Sequence, residues 1–130
     1  MTTEYDPNGI PANAPGSKLD AGKPRPALVL GDFSRALAEV VKIGSFGAAK
    51  YTPSGWLSVP HGRERYADAA FRHQLEVWQG RRLDDGPGGT GGLHKAQVIW
   101  NLLAELELEL REQAMTTVRK ADDVGAAKAP

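Results

Sequence analysis

Arg63 to Gly80 reads RERYADAAFRHQLEVWQG, and this stretch decides the fold. At about 100° per residue, Tyr66, Ala67, Ala69, Ala70, Phe71, Leu75, Val77 and Trp78 cover well over half of a helical wheel. The spacing predicts a central helix. The remaining arc carries Arg65, Asp68, Arg72 and Glu76, whose i,i+4 spacing predicts Asp68–Arg72 and Arg72–Glu76 pairs on the outer surface. His73 falls between Tyr66 and Val77 in the middle of the apolar arc, so its ring is expected inside the protein or facing a cleft within it.

Just before this helix, Pro53, Ser54 and Gly55 predict a turn, and Trp56 to Gly62 a loop whose tryptophan closes over the core. Further back, Asp32 is placed to cap a helix over FSRALAEVVKIGSFGAAKY, with Phe33, Leu37, Val40, Val41, Gly44 and Ala48 on one face. Gly44 and Gly47 each weaken that helix by about 1 kcal/mol relative to alanine, so either it breaks near Gly44 or another backbone packs closely there, and a break is the expectation.

On the other side, RRLDDGPGGTG before Gly92 is a glycine-rich loop in which Asp84 and Asp85 either bind a cation or solvate a turn. GGLHKAQVIWNLLAELELELREQ then predicts a long, unbroken helix ending near Gln113. Its broad apolar side is Leu93, Ala96, Ile99, Trp100, Leu102, Leu103, Leu106 and Leu110. Opposite run His94, Gln97, Asn101 and Glu105 at i, i+3, i+7 and i+11, a stripe that is either an ordinary wet face or one wall of a functional cleft. If His73 faces that stripe, two metal geometries compete. Glu64, Asp68 and Glu105 would hold Mg²⁺ through oxygen and leave the histidines to phosphate, or His73, His94 and Asp84 would hold a transition metal.

Residues 1–17 are rich in Pro, Asn, Gly and Thr and predict a flexible arm, and residues 114–130 predict a fraying tail, leaving 18–113 as one helical domain. SKLDAGKPRPALVL is expected to be extended, either as a linker that docks through Leu28, Val29 and Leu30 or as a phosphate-holding loop carrying Lys18, Lys23 and Arg25. The whole is mostly α, with about three main helices. Their apolar arcs exceed what one small domain can bury, which predicts a homodimer or higher homo-oligomer.

With 130 residues and 16 basic against 16 acidic side chains, the chain has material for one domain and no broad basic surface for nucleic acid. It contains no cysteine, so a metal would need carboxylates, histidines or amides. No apolar run of about 18 residues and no basic-then-apolar leader occurs, which predicts a cytoplasmic protein with no membrane partner.

The ordered series Ser17-Lys18-Leu19-Asp20-Ala21-Gly22-Lys23-Pro24-Arg25, Phe46-Gly47-Ala48-Ala49-Lys50-Tyr51, Trp56, Arg65-Tyr66, Ala69, Arg72-His73, Gly80, Asp84, His94 and Trp100-Asn101 resembles the phage and prophage family of dATP/dGTP diphosphohydrolase N-terminal domains. The resemblance spans about Lys18 to Glu109. It implies a mostly helical domain, a host bacterium that is phage-infected or carries a prophage, and a purine deoxynucleotide ligand. An enzyme of that kind releases pyrophosphate from dATP or dGTP with a divalent cation, Mg²⁺ or Mn²⁺. The family's Asp-x-Gly-Lys-x-Arg pattern lands on Asp20, Gly22, Lys23 and Arg25, its Arg-His pair on Arg72 and His73, its loop aspartate on Asp84, and its His-x-x-His pair begins at His94. Gln97 stands where the second histidine is expected, and Gly86 where a second acidic residue is. The paired Glu-x-x-Glu and Glu-x-x-Asp motifs of related all-α nucleotide pyrophosphohydrolases do not occur as a set; the one Glu-x-x-Glu is Glu109 to Glu112.

From the residues and the resemblance together, the catalytic candidates are Glu64, Asp68, His73 and Glu105, and the metal candidates Asp68, Asp84 and Glu105. Ligand-binding candidates are Asp20, Lys23, Arg25, Lys50, Tyr51, Trp56, Arg72, His94, Gln97 and Asn101. The alternative function is a non-catalytic phage protein that sequesters a host cyclic nucleotide signal and so evades defence. Tyr51, Trp56 or Trp100 would then stack on the base.

Overall fold

The computed structural model describes residues 3–128. Residues 1 and 2 of the expected arm, and 129 and 130 of the expected tail, lie outside them. The fold is mostly helical: α1 Pro26–Gly31, α2 Ser34–Lys50, a 3-10 turn Gly55–Ser58, α3 Gly62–Trp78 and α4 His94–Lys128. Among the described residues there is no strand, only an isolated antiparallel bridge between Leu83 and Leu93. The chain divides into two compact units, Met1–Ser34 and Arg35–Pro130.

The first unit is organised by Asp6. Its buried carboxylate accepts backbone N–H bonds from Asn8 at 2.7 Å, Lys18 at 2.8 Å and Ile10 at 3.5 Å. These amide bonds, led by that of Lys18, outweigh burial and hold the Asp6 carboxyl below the ordinary aspartate range. Lys23 pairs with Glu4 at 2.9 Å. The segment expected to be extended through Leu30 instead forms α1. Pro26 is at its start, where the backbone lacks an N–H partner in any case and the fixed φ of proline already suits a helix. Leu28, Val29 and Leu30 are exposed. Asp32 closes α1 by donating its N–H to Leu28, rather than capping the next helix.

In the second unit α2 passes Gly44 without a break. Close packing, not a hinge, explains that glycine. A Cβ there would lie 2.9 Å from Trp100 Nε1. Trp100 is wedged by Trp56 and Tyr66, with ring centroids 5.8 and 5.7 Å away and edge-on geometry. The Tyr66 hydroxyl donates to the Trp56 carbonyl at 2.8 Å, which pins the 3-10 turn to α3. The tryptophan after the turn therefore does close over the core.

α3 and α4 form the main packed pair, and they bury the polar stripe of α4, the cleft alternative, in place of its leucines. The seam is made of small and polar residues: Gly62 and Ala70 on α3, and His94, Gln97, Asn101 and Ala104 on α4. At Gly62 a Cβ would come within 2.9 Å of Leu108 Cδ1, so the helices meet closely there. Of the apolar side of α4, Ala96 and Trp100 pack inward, whereas Ile99, Leu102, Leu103, Leu106 and Leu110 are exposed, as are Phe71, Leu75 and Trp78 of α3. Periodicity placed these residues correctly on shared faces, but a shared face is not thereby an inward one. α4 also continues past Gln113, where the apolar pattern stops, because no proline follows within it and its one later glycine is Gly125 near its end.

Candidate functional site

The site grows from the buried polar seam. His73, half-buried near the end of α3, places Nδ1 2.9 Å from Nδ1 of His94, the first residue of α4. Their rings are tilted at 37° with centroids 5.1 Å apart. Asp84 arrives from the loop between the helices, and one donor atom from each of His73, Asp84 and His94 lies within 4.8 Å of the others.

The backbone fixes this convergence. Asp84 N–H donates to Gly92 O at 2.8 Å, Gly91 N–H to Asp84 O at 2.8 Å and His94 N–H to Arg82 O at 3.0 Å, so Asp84 and His94 flank the Leu83–Leu93 bridge. Gly89 is required by the loop's closure. A Cβ there would collide with the Asp84 backbone oxygen and lie 2.6 Å from Oδ1. Gln97, only 5% exposed, donates Nε2–H to Asp84 Oδ2 at 2.9 Å, and Thr90 N–H reaches the same oxygen at 3.4 Å. Asn101 donates to the Gln97 carbonyl at 2.8 Å, and no buried side-chain polar atom among the described residues lacks a partner.

Charge follows geometry. Burial, reinforced by the adjacent His94, lowers the His73 pKa, which keeps the imidazole neutral near pH 7. Burial works to raise Asp84, but the Gln97 and Thr90 hydrogen bonds and the two histidines together bring it below the ordinary value, so it is a carboxylate. Glu76 is held ionised by Arg81, which donates from Nε and Nη2, and its Oε2 stands 4.0 Å from His94 Nε2.

The candidate residues separate accordingly. His73, Asp84, His94, Gln97 and Asn101 come together on one seam. Glu64 and Glu105 line a different cleft of about 670 Å³, beside Arg63, His61, Leu108 and Glu112. Asp68 lines neither the cleft nor the cluster and is exposed, because its position on α3 turns away from the α4 seam. Glu64, Asp68 and Glu105 therefore do not assemble with Asp84. Arg72 is exposed with no ion pair among the described residues; Asp68 is likewise unpaired, and Glu76 turns to Arg81 instead. Trp56 is committed to the tryptophan–tyrosine cluster, whereas Tyr51 is exposed with Lys50 Nζ 5.3 Å from its ring centre. Asp20, Lys23 and Arg25 belong to the first unit.

Sequence reasoning missed Glu76 and Thr90. Glu76 was assigned to the outer surface, although it falls one turn after His73 and can reach the same partner. Thr90 is the hydroxyl residue in the glycine loop, where leucines at 83 and 93 signal that the ends close. A second cavity of about 350 Å³ borders this loop. Its lining includes Lys42, Arg82 and Thr90.

A family model described as dATP/dGTP diphosphohydrolase, N-terminal, matches residues 13–118. No curated protein and no solved structure matches the chain.

Proposed function

Because the chain belongs to the dATP/dGTP diphosphohydrolase N-terminal family, we propose that it is a purine deoxynucleoside triphosphate pyrophosphohydrolase, releasing pyrophosphate by water attack on the α-phosphorus of dATP or dGTP. The observation that carries this reading is the meeting of His73, Asp84 and His94, three positions of the family pattern that come from α3, the glycine-rich loop and the start of α4. Positioning and charge stabilisation supply most of the rate in such reactions. A divalent cation, Mg²⁺ or Mn²⁺, belongs to this reading and would neutralise phosphate charge beside the Asp84 carboxylate. Arg82 and Lys42 offer cations to the phosphate tail from the cavity that shares Thr90 with the Asp84 loop. Lys23 and Arg25 are phosphate contacts on the family pattern. Glu64 and Glu105 line the separate cleft, about 13–17 Å along their helices from His73 and His94, so they carry no step at this cluster.

The presence of a single carboxylate in the cluster, with Gln97 in place of a second histidine, favours one other reading: binding of a purine or cyclic nucleotide without hydrolysis. Incubation with dATP, dGTP and cyclic dinucleotides, with and without Mg²⁺ or Mn²⁺, separates the two by chromatography before and after heat denaturation. Pyrophosphate and a deoxynucleoside monophosphate formed only with metal support the enzyme. A nucleotide that leaves the free pool and returns intact on denaturation refutes it and supports sequestration.

The functional unit is proposed to be a homo-oligomer, with a second copy covering the leucine face of α4. Support comes from Leu102, Leu103, Leu106 and Leu110, all exposed along one side of the helix. Among the described residues no helix is long and apolar enough to cross a membrane. Light scattering at micromolar concentration should report a dimer or larger; a monomer there refutes the assignment.

A further inference from the structure

We infer that His73, Asp84 and His94 form a binding site for a first-row transition metal ion such as Mn²⁺, Co²⁺ or Zn²⁺, selected over Mg²⁺. The inference concerns the same place as the proposed function and names its metal class, but it does not depend on the reaction.

The first support is the facing pair of Nδ1 atoms at 2.9 Å. Two imidazole lone pairs at that separation repel unless a proton or a cation lies between them. The Glu76 carboxylate stands on the Nε2 side of His94. It favours the tautomer with hydrogen on Nε2, which frees the His94 Nδ1 lone pair for the shared centre. At 4.0 Å this is a charge contact and not a hydrogen bond, and the same oxygen accepts from Arg81 Nε.

The second support is Asp84. Gln97 and Thr90 both occupy Oδ2, leaving Oδ1 without a hydrogen-bond partner among the described residues. One carboxylate oxygen is thus restrained, and the other is available as a ligand. The third is size. Donors about 2.0–2.1 Å from a tetrahedral ion lie about 3.4 Å apart. The histidine nitrogens would open by about 0.5 Å from 2.9 Å, and the widest spacing the cluster allows, 4.8 Å, would close by about 1.4 Å.

Selectivity follows from donor chemistry. Two imidazole nitrogens and one carboxylate suit borderline transition ions, whereas Mg²⁺ favours an octahedron of oxygens and gives up its water reluctantly. Three protein donors also leave coordination positions open.

The test uses the full chain, stripped with chelator and titrated with Co²⁺ in the absence of nucleotide. Visible ligand-field bands should grow to one ion per chain, and excess Mg²⁺ should leave them unchanged. Asp84→Ala and His73→Asn should weaken Co²⁺ binding at least tenfold with native circular dichroism retained. Gln97→Ala, which releases Asp84 without removing a ligand, should weaken it by about tenfold. Equal Co²⁺ affinity in wild type and Asp84→Ala, or loss of the bands to equimolar Mg²⁺, overturns the inference. Should His73→Asn fail to fold, Asp84→Asn provides the same comparison. Since no nucleotide is present, a negative result here leaves pyrophosphate release to be decided by its own assay, and loss of that activity leaves this titration intact.

Discussion

Gly44→Ala and Gly47→Ala change the same helix by the same atoms and should move stability in opposite directions. Each replaces a glycine inside α2 by the best helix former, a gain of about 0.8–1.0 kcal/mol. At Gly47 the new methyl meets nothing within 4 Å, so the gain should appear in full. At Gly44 it would lie 2.9 Å from Trp100 Nε1 and 3.4 Å from Cδ1. Trp100 cannot simply rotate away, because Trp56 and Tyr66 hold it edge-on from two sides. Overpacking of this kind costs about 1–3 kcal/mol, which cancels or exceeds the helix gain. The helix contribution is common to both variants, so their difference isolates the contact: Gly47→Ala should be more stable than Gly44→Ala by about 1–3 kcal/mol. Urea denaturation followed by far-UV circular dichroism measures both, and unchanged m-values keep the comparison within one unfolding reaction. Equal stabilisation by the two alanines would show that α2 does not rest on Trp100. It would also remove the support for Lys42 and Ile43 as a wall of the cavity at the Asp84 loop, where a Cβ at Gly92 would approach Ile43 Cδ1 to 2.9 Å.

Three further outcomes follow from the same contacts. Gly89→Ala should displace Asp84 and weaken Co²⁺ uptake at least tenfold while helix content is retained, because the added Cβ collides with the Asp84 carboxylate and carbonyl; unchanged uptake would show that the loop tolerates another path. The depressed Asp6 pKa means that its stabilising contribution is complete above the unfolded value of about 3.9 and is lost as pH falls through the lower folded value. An NMR titration should therefore show the Lys18 amide keeping its hydrogen-bonded shift until below about pH 3.9, and an inflection above that refutes the reasoning. Arg63→Ala should leave the thermal and urea midpoints nearly unchanged, since its bonds to Glu112 and Glu109 are solvent-facing; a clear loss would give these pairs a structural weight that exposed ion pairs lack.

How much the sequence discloses depends on what periodicity measures. It places residues on common faces, so His73 was legible as an inward residue and His94, Gln97 and Asn101 as one stripe. Their meeting across α3 and α4 needed only the assumption that the two faces meet. The same wheel could not say which face of α4 lies inward, because both its leucine side and its small polar side are continuous. Burial is decided by the partner surface, and α3 offers Gly62, Ala70 and His73, a close-packing and hydrogen-bonding surface. α1 was hidden by reading prolines as breakers irrespective of position, although proline at the first helical residue is compatible with a helix. Asp84 was visible as a candidate, but its orientation depends on Thr90 and Gln97, which become its partners only once the Leu83–Leu93 bridge has closed the loop.

The exposed leucines also supply the physical argument for the proposed homo-oligomer. Phe71 and Trp78 on α3 are 61% and 72% exposed, and the α4 leucines are about half exposed. Fully burying such a side chain is worth about 1.5–3 kcal/mol, so each half-exposed leucine forgoes about 1 kcal/mol. Over the outer faces of both helices the shortfall is on the order of 8 kcal/mol, which equals the entire stability of a typical domain. Inside, the seam spends its area on Gln97, Asn101 and two imidazoles, whose hydrogen bonds are worth about 1 kcal/mol each and mostly replace bonds to water. A helix pair arranged for stability alone would have turned its leucines inward. The arrangement makes physical sense if the polar seam is retained for the ligands gathered at its end and a second copy supplies the apolar contact that the seam gives up.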